Sequence, residues 1–287
     1  MKLIFLIFLI LLVFIPNTLA HQPVMDMAPR WEEGYGFQVR SEYSKVHKQI
    51  NKDKSVSTDP KQVQKVHRTW LEGVYTFKRW LRTSFKIPYI SKEKTILENG
   101  VYAKKTGKGL GDLTLGLLLK NYTNLGSKTW NWAITPSFRL PTGNTSGNFA
   151  VSDGSFDMGV SFSTSIETEY IFQFYDLFFW KNGRGKKGAN EGDVIGLDIN
   201  VGIHPYHQNL NNRGVFLLLD MSLRHQNQGQ QIGNVTGGTK LFIGPIIMFY
   251  QRNWMYRLEY SLAVYEKSYG TQFSRGNKLS LGAGVTF

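Results

Sequence analysis

Apolar and polar residues alternate along most of this chain. Residues 113–120 read LTLGLLLK and residues 195–203 read IGLDINVGI, so that nearly every second side chain is apolar. A strand places successive side chains on opposite faces, so this period of two predicts β-strands with one apolar and one polar face. Segments of this kind, each about ten residues long, follow one another between turns and polar loops. The pattern therefore predicts an all-β protein.

The lengths of the connections indicate how these strands are arranged. The expected strands lie near residues 34–47, 66–77, 80–90, 111–122, 129–141, 155–166, 169–180, 192–204, 213–225, 238–250, 254–266 and 277–287. Long polar connections (48–65, 91–110, 142–154, 181–191, 226–237 and 267–276) alternate with mostly short ones (78–79, 123–128, 167–168, 205–212 and 251–253). An even strand number, long external loops and short periplasmic turns are typical of bacterial outer-membrane barrels. We therefore expect a transmembrane antiparallel β-barrel of about 12 strands over residues 34–287, with both of its ends in the periplasm.

The alternative fold is a soluble β-sandwich or a lipocalin-like barrel, in which the apolar faces point inward. Two features favour the membrane barrel. Aromatic residues stand near the ends of the expected strands, where a membrane barrel carries its aromatic girdles; they are Trp70, Tyr75, Trp80, Tyr89, Trp130, Trp180, Tyr250 and Trp254. The final strand also stays amphipathic up to Phe287, which resembles the signal that the outer-membrane barrel-assembly machinery reads. We expect this strand to pair with the first one, near Tyr35 and Phe37.

The first residues predict export. Lys2 precedes a continuous apolar run from Leu3 to Pro16, and small residues at Thr18 and Ala20 precede an expected cleavage site. The run is shorter than the roughly 20 residues that a transmembrane helix needs. We therefore expect residues 1–20 to be a signal peptide and residues 21–33 to be a periplasmic leader or a plug segment. Neither disulfides nor thiol chemistry is available, because the chain has no cysteine.

The formal charge is +13 at pH 7. A strongly basic balance can indicate nucleic-acid binding, but the basic residues are scattered and lie mostly in expected loops. Loops that face anionic lipopolysaccharide, or a lumen biased toward anions, explain the sign better, so we expect outer-membrane lipid and lipopolysaccharide as partners and no nucleic acid. No cofactor is expected.

If the apolar faces meet lipid, the opposite faces line a lumen. Strand parity assigns to it Arg40, Glu42, Arg82, Lys86, Asp112, Lys120, Arg139, Asp157, Asp198, Asp220, Arg224, Arg257 and Glu259. Unpaired charge in a narrow interior is costly, so most of these side chains should be paired or hydrated. They form either a lattice of salt bridges that holds the barrel together or a path for a small solute.

Motifs of catalysis are missing. The chain has no G-x-S-x-G nucleophile elbow and no H-E-x-x-H zinc motif. We therefore expect the protein not to be an enzyme.

The expected mature N-terminus offers soft metal ligands. His21, Met25 and Met27 combine an amine, an imidazole and two thioethers in one short stretch, a set that suits copper. The alternative is a leader without a metal, or a plug that enters the lumen.

Several stretches together resemble a known family. They are Trp31 to Tyr43 (WEEGYGFQVRSEY), Ile87 to Ile90 (IPYI), Gly109 to Asp112 (GLGD), Arg139 to Gly143 (RLPTG) and Val151 to Gly159. In these the chain is similar to outer-membrane proteins of the meta-pathway phenol-degradation family. The resemblance implies a barrel that admits small, often hydrophobic or aromatic, compounds. It implies no catalytic residues.

The sequence thus predicts an outer-membrane channel or transporter for small molecules. Loops 91–110 and 142–154, or the N-terminal segment, are expected to gate it. Two alternatives stay open: a copper-linked outer-membrane protein, and a barrel whose external loops bind a surface without transporting anything.

Overall fold

The structure, a computed structural model, describes residues 31–57, 59–147, 149–186, 189–208, 212–231 and 234–287. These residues form the strands β1 (Tyr35–Val46), β2 (Gln49–Lys52), β3 (Lys54–Ser57), β4 (Val63–Lys78), β5 (Leu81–Glu98), β6 (Val101–Leu110), β7 (Leu113–Asn124), β8 (Lys128–Leu140), β9 (Asp157–Thr168), β10 (Ile171–Lys181), β11 (Val194–Gln208), β12 (Arg213–Gln231), β13 (Asn234–Gln251), β14 (Trp254–Phe273) and β15 (Lys278–Thr286). No helix within these ranges is long and apolar enough to cross a membrane.

Twelve of the strands form one closed antiparallel barrel. Starting from β1, the order around the wall is β4, β5, β7, β8, β9, β10, β11, β12, β13, β14 and β15, and β15 pairs with β1 again. The prediction of an all-β barrel with about 12 strands is confirmed. Closure leaves no open edge, which is the condition for a sheet to exist in hydrocarbon.

The two ends of the barrel differ. At one end, called here the turn end, short connections join neighbouring strands at residues 79–80, 125–127, 169–170 and 252–253. Tyr35 at the start of β1 and Phe287 after β15 lie at this end too. The opposite end, called the loop end, carries the longer connections, among them residues 141–156 and 182–193.

The outer face of the wall is apolar. Its large side chains stay exposed in the barrel, as Leu281 does at 55% and Val264 at 58%. The same belt includes Val39, Leu71, Leu115, Leu117, Ile134, Val160, Phe162, Leu177, Ile195, Val201, Leu219, Ile247, Leu258 and Leu262. Exposed apolar surface on this scale is incompatible with water and marks the surface that contacts lipid.

Several expected loops are strands at the loop end. The expected loop 91–110 is wrong: its residues extend β5 and form β6, which together make a hairpin above the barrel wall. Residues 81–86 of β5 pair with β7, whereas residues 89–98 pair with β6. Pro88 stands at this change of partner and does not end the strand. Because proline has no N–H, it fits a position between two ladders, and its carbonyl accepts a hydrogen bond from the Gly111 N–H at 2.7 Å.

Three other long connections, 48–65, 226–237 and 267–276, are also shorter than expected, whereas residues 141–156 and 182–193 lie between strands as expected. The small hairpin β2–β3 occupies part of 48–65 and pairs with the outer part of β14. Strands β12 and β13 continue their ladder to the pair Gln231 and Asn234, and β14 extends to Phe273. Antiparallel pairs continue for as long as both strands can bond, so ladders project beyond the membrane wherever the loop sequence permits it.

Three of the aromatic residues that were expected in the girdles face inward. Trp70 lies directly opposite Arg40, Trp180 lies against Gly159, and Tyr250 belongs to an apolar cluster inside the barrel. Position near a strand end therefore did not determine the face, because alternation along the strand assigns these residues to the lumen. Trp80 and Trp130 face outward at the turn end, where they stay 58% and 41% exposed.

The barrel closes where Tyr35 meets Phe287. The Phe287 N–H donates to the Tyr35 carbonyl at 2.7 Å, and the Tyr35 N–H donates to the Phe287 carbonyl at 3.1 Å. Their rings stack with centroids 5.1 Å apart. The terminal residue thus fixes the register between the first strand and the last.

Deletion of Phe287 should therefore impair assembly. We expect a smaller fraction of the protein to reach the folded form, because two hydrogen bonds and one ring contact at the seam are lost. Heat-modifiable mobility in gels measures this fraction. Leu281→Ala, which shortens a lipid-facing side chain of the same strand, is the matched control. Normal insertion of the deletion variant would show that the terminal contact is dispensable.

Candidate functional site

The inward face of the wall carries the ionisable residues of the barrel. The pairing registers place the strand residues predicted for the lumen on inward positions; they are Arg40, Glu42, Arg82, Lys86, Lys120, Arg139, Asp157, Asp198, Asp220, Arg224, Arg257 and Glu259. The thirteenth, Asp112, precedes β7 on the same parity and contacts a loop at the mouth.

Glu72 is the centre of an ion-pair network in the lumen. Its carboxylate accepts hydrogen bonds from Arg40 Nη2 at 3.3 Å and from the Gln38 amide, and Lys86 Nζ lies 3.1 Å away. The residues come from three neighbouring strands, β1, β4 and β5. Sequence analysis missed Glu72, although it lies within the expected strand 66–77 and directly opposite Gln38.

Two further groups of charges complete the network across the seam. Arg257 Nη2 donates to Glu259 at 2.7 Å, and the Ser261 hydroxyl donates to the same carboxylate at 2.9 Å. The Glu42 carboxylate forms ion pairs with Arg68 Nη1 at 3.0 Å and with Lys278 Nζ at 3.8 Å. Charges inside a barrel are tolerated when they are paired in this way, because each partner offsets the loss of hydration of the other.

The inward-facing charged side chains remain partly accessible to water. The side chain of Arg224 is 52% exposed and that of Lys86 is 43% exposed, although both point into the barrel. Arg139 is 32% exposed and Arg68 is 27% exposed. A packed interior would cover such side chains, so the middle of the barrel and its loop end contain solvent-accessible space.

The lumen narrows towards the turn end. Arg82 and Thr76 are fully covered there, and Arg82 donates a hydrogen bond to the Tyr122 hydroxyl. On the facing part of the wall an apolar cluster excludes solvent, with Met248 at 0% and Ile246 at 1% exposure. The cluster consists of Phe172, Phe216, Leu218, Ile246, Met248, Tyr250 and Met255. One side of the narrow region is therefore polar and the other is apolar.

Three aspartates on neighbouring strands form an acidic row. Asp176 lies directly opposite Asp198, and Asp220 follows on the next strand, opposite Asn200. Sequence reasoning missed Asp176 because it stands in the run IFQFYDLFF, where inward-facing phenylalanines hide the alternation. No group of three or more histidine, aspartate or glutamate side chains in the described part of the chain is placed to hold a metal ion.

The copper hypothesis concerns residues outside the described ranges. His21, Met25 and Met27 lie there, as do the expected signal peptide and most of the expected leader. Copper binding therefore stays a prediction, which copper titration of the mature protein with and without His21 would test.

The described residues of loop 141–156 lie at the mouth of the barrel. Asp112 holds it, because its carboxylate accepts the Gly143 N–H at 2.8 Å and the Ser152 hydroxyl at 2.7 Å. The ring of Phe149 lies under the amines of Lys92 and Lys94, which are 4.2 and 5.8 Å from its centroid. The loop is thus fixed to the inner side of the β5–β6 hairpin.

Loop 182–193 packs against the first loop. Asp157 accepts the Gly183 N–H at 2.9 Å, and the Lys186 N–H donates to the Asp153 carbonyl at 2.7 Å. Burial raises the pKa of Glu191 in this loop, and the neighbouring Asp153 raises it further. Burial and the charge of Arg68 lower the pKa of Arg275, a residue of the last loop, while Glu191 opposes that shift. The mouth is therefore a region of dense and partly compensated charge.

One serine–histidine contact lies on the outer face. Ser41 Oγ and His67 Nε2 are 2.7 Å apart, and Thr69 Oγ1 lies 3.5 Å from the same serine. Ser41 alternates with the inward residues Arg40 and Glu42, so the contact faces away from the lumen. A catalytic histidine needs a group that orients its second nitrogen, and the described contacts of His67 include no acidic side chain.

Residues 63–281 match the family described as "Putative MetA-pathway of phenol degradation". The chain belongs to this family. The resemblance found in the five short motifs is thereby confirmed. Comparison of the phenol-degradation family member with curated proteins gives no match.

The fold of this family member is similar to that of an outer membrane channel from Pseudomonas putida F1. The TM-score is 0.69, with 14% sequence identity over 92% of this chain and 99% of that one. A loop-deletion mutant of OmpT, an outer membrane protein of Vibrio cholerae, has a TM-score of 0.35 and 9% identity over 89% of this chain and 100% of that one. The first likeness shows the fold.

Asp112→Ala should release loop 141–156 from the wall. Hydrogen bonds to a charged acceptor contribute about 1.5–3 kcal/mol each, so we expect at least a roughly tenfold faster cleavage after Phe149 by chymotrypsin. Asp59→Ala, which removes a carboxylate from another external loop, is the control. Equal cleavage rates in the wild type and in Asp112→Ala would mean that other contacts hold the loop.

Proposed function

We propose that the protein is a passive outer-membrane channel for small molecules. One observation carries the proposal above all: charged side chains that point into a closed barrel are still reached by water, as Arg224 and Lys86 are. A barrel that served only as a structural anchor would gain stability from a packed core, and it has no need for a hydrated interior.

The apolar belt supports the membrane location. It surrounds the whole wall, and the loops and turns lie beyond it, as in outer-membrane barrels. The likeness in fold to an outer membrane channel supports the same location. In this orientation the loop end is external and the turn end is periplasmic, and solutes enter past loops 141–156 and 182–193.

The lining of the lumen supports small organic solutes as cargo. Aromatic rings stand among the charges along the path, for instance Trp70 under Arg40 and Trp180 under Arg139, each with 4.6 Å between the guanidinium carbon and the ring centroid. The family description refers to phenol degradation, which suggests hydrophobic or aromatic compounds. A solute that has both a ring and a polar group can contact both kinds of side chain on its way through.

Liposome swelling with the purified protein tests the channel. We expect faster swelling in small neutral solutes, with rates that fall steeply as the solute grows, because the turn end is narrow. Planar bilayers containing the same protein should show unitary currents. A protein that shows neither flux nor current would instead be a surface-binding barrel, which is the alternative reading of its long external loops.

Glu72→Gln should shift the ion selectivity of this channel towards anions. The substitution leaves Arg40 and Lys86 without their shared carboxylate but keeps a side chain of the same size and an acceptor oxygen. The measurement is the reversal potential in a potassium chloride gradient. Glu98→Gln removes an equal charge outside the barrel, where Glu98 pairs with Lys105, and should leave the potential unchanged. An unshifted potential in Glu72→Gln would place the ion path elsewhere.

A further inference from the structure

Two cations stand directly opposite each other on the inner wall near the loop end. Arg224 of β12 pairs in register with Lys240 of β13, and both side chains point into the lumen. Like charges at opposed positions of an antiparallel pair are destabilising. Lys278 of β15 adds a third cation, whose amine lies 4.2 Å from the ring centroid of Phe242, two residues from Lys240. This part of the wall accumulates positive charge at a cost in stability.

The carboxylates nearby do not neutralise these cations. The nearest acidic oxygen to Arg224 belongs to Asp198 and is 3.6 Å away, at the long end of an ion pair. Lys278 reaches Glu42 at 3.8 Å, and Glu42 is held more closely by Arg68 at 3.0 Å. Lys240 forms no ion pair with any residue that the structure describes: Glu266, directly opposite it on β14, instead accepts hydrogen bonds from the Ser274 hydroxyl and the Arg275 N–H. An anion from outside would therefore meet three cations whose contacts with the protein's own carboxylates are long or absent.

Aromatic rings are placed beside the same cations. Phe178 of β10 occupies the space above Gly196, where a Cβ would come within 2.2 Å of the ring, and the Arg224 guanidinium lies 5.3 Å from its centroid. Glycine at position 196 lets the ring rest against the wall. The ring of Phe242, across the cluster, is buried under Lys278, so Phe178 is the ring that faces the lumen.

We propose that this cluster binds aromatic monoanions, that is, a ring that carries one carboxylate, with the carboxylate between Arg224, Lys240 and Lys278 and the ring against Phe178. The proposal rests on the channel function proposed above and assigns it a class of solute. Carboxylates form strong, charge-assisted hydrogen bonds with guanidinium and ammonium groups, and aromatic pairs add further attraction. Acetate can form only the hydrogen bonds to the cations, and a neutral phenol forms mainly the ring contact. An aromatic carboxylate forms both and should therefore bind better than either.

The acidic row explains why an anion would stay at the cationic cluster and not pass straight through the lumen. Asp176, Asp198 and Asp220 lie on β10, β11 and β12, closer to the turn end than the cationic cluster, and Asp220 shares β12 with Arg224. An anion that is held at Arg224 meets these carboxylates on its way inward and is retained by the repulsion. We therefore expect benzoate to reduce the current of small ions through the channel, and to do so more strongly when it is added at the loop end.

Planar-bilayer recording with benzoate, acetate, benzyl alcohol and benzylamine is the experiment. In the wild type, benzoate should reduce the potassium chloride current at concentrations at which the other three have little effect. Lys240→Gln should raise the half-blocking concentration of benzoate at least about fivefold, since a lost charge-assisted contact weakens binding to that extent. Phe178→Leu should reduce the preference for benzoate over acetate and keep the preference for anions over benzylamine. Lys128→Gln, at the turn end, loses the same charge outside the cluster and should behave as the wild type.

The outcomes separate the two proposals. A conducting channel in which benzoate blocks no better than acetate, or in which Lys240→Gln and Lys128→Gln behave alike, overturns the anion site and leaves the channel function standing. If no variant conducts, the channel function fails, and calorimetric titration of the detergent-solubilised barrel with benzoate decides the site by itself. Binding that weakens in Lys240→Gln supports the site, and absence of binding to the wild type overturns it. Heat-modifiable mobility shows that each variant is folded.

Discussion

Closure of one hydrogen-bonded ladder is the constraint on which the rest of this structure depends. Backbone groups have no water to bond with inside a bilayer, so every strand needs a partner on both sides. The pairing of β15 with β1, fixed at its end by Tyr35 and Phe287, supplies the last of these partners. Closure also creates an inside. Only because the wall returns to itself can every second side chain of a strand be kept from lipid and carry charge.

The inward-facing charges are distributed unevenly along the barrel. Around Glu72 and Glu259 opposite charges are matched and hold the wall together. At the turn end the inward side chains are apolar on one part of the wall and close the space. Near the mouth, Arg224, Lys240 and Lys278 remain in excess over their acidic neighbours. Charged side chains therefore stabilise the wall where each has an oppositely charged partner, and they are available to a solute near the mouth, where the cations have fewer such partners.

Much of this arrangement could be predicted from the sequence, because a period of two assigns both a strand and a face. The strands of the wall, the inward side of residues such as Arg40 and Glu259, and the seam at Phe287 all follow from alternation. Alternation stops being informative where inward residues are themselves apolar. Trp70, Trp180 and Tyr250 were assigned to the membrane interface for that reason, and Asp176 was overlooked among phenylalanines. The β5–β6 hairpin could not be predicted because its polar residues resemble a loop and lie beyond the lipid that creates the pattern.

The hairpin has a consequence for how neighbouring molecules behave. β6 pairs with β5 alone in the described part of the chain, so one side of it is an edge with free backbone groups. Loop 141–156 lies along that edge: the Asn144 N–H donates to the Leu110 carbonyl at 2.9 Å, and its side-chain amide donates to the Lys108 carbonyl at 3.4 Å. The loop at the mouth thus also covers the base of this edge, at Lys108 and Leu110, where a strand of a second barrel would otherwise find backbone groups to pair with. Shortening this loop to widen the pore would expose more of the β6 edge, and we expect such a variant to associate through it.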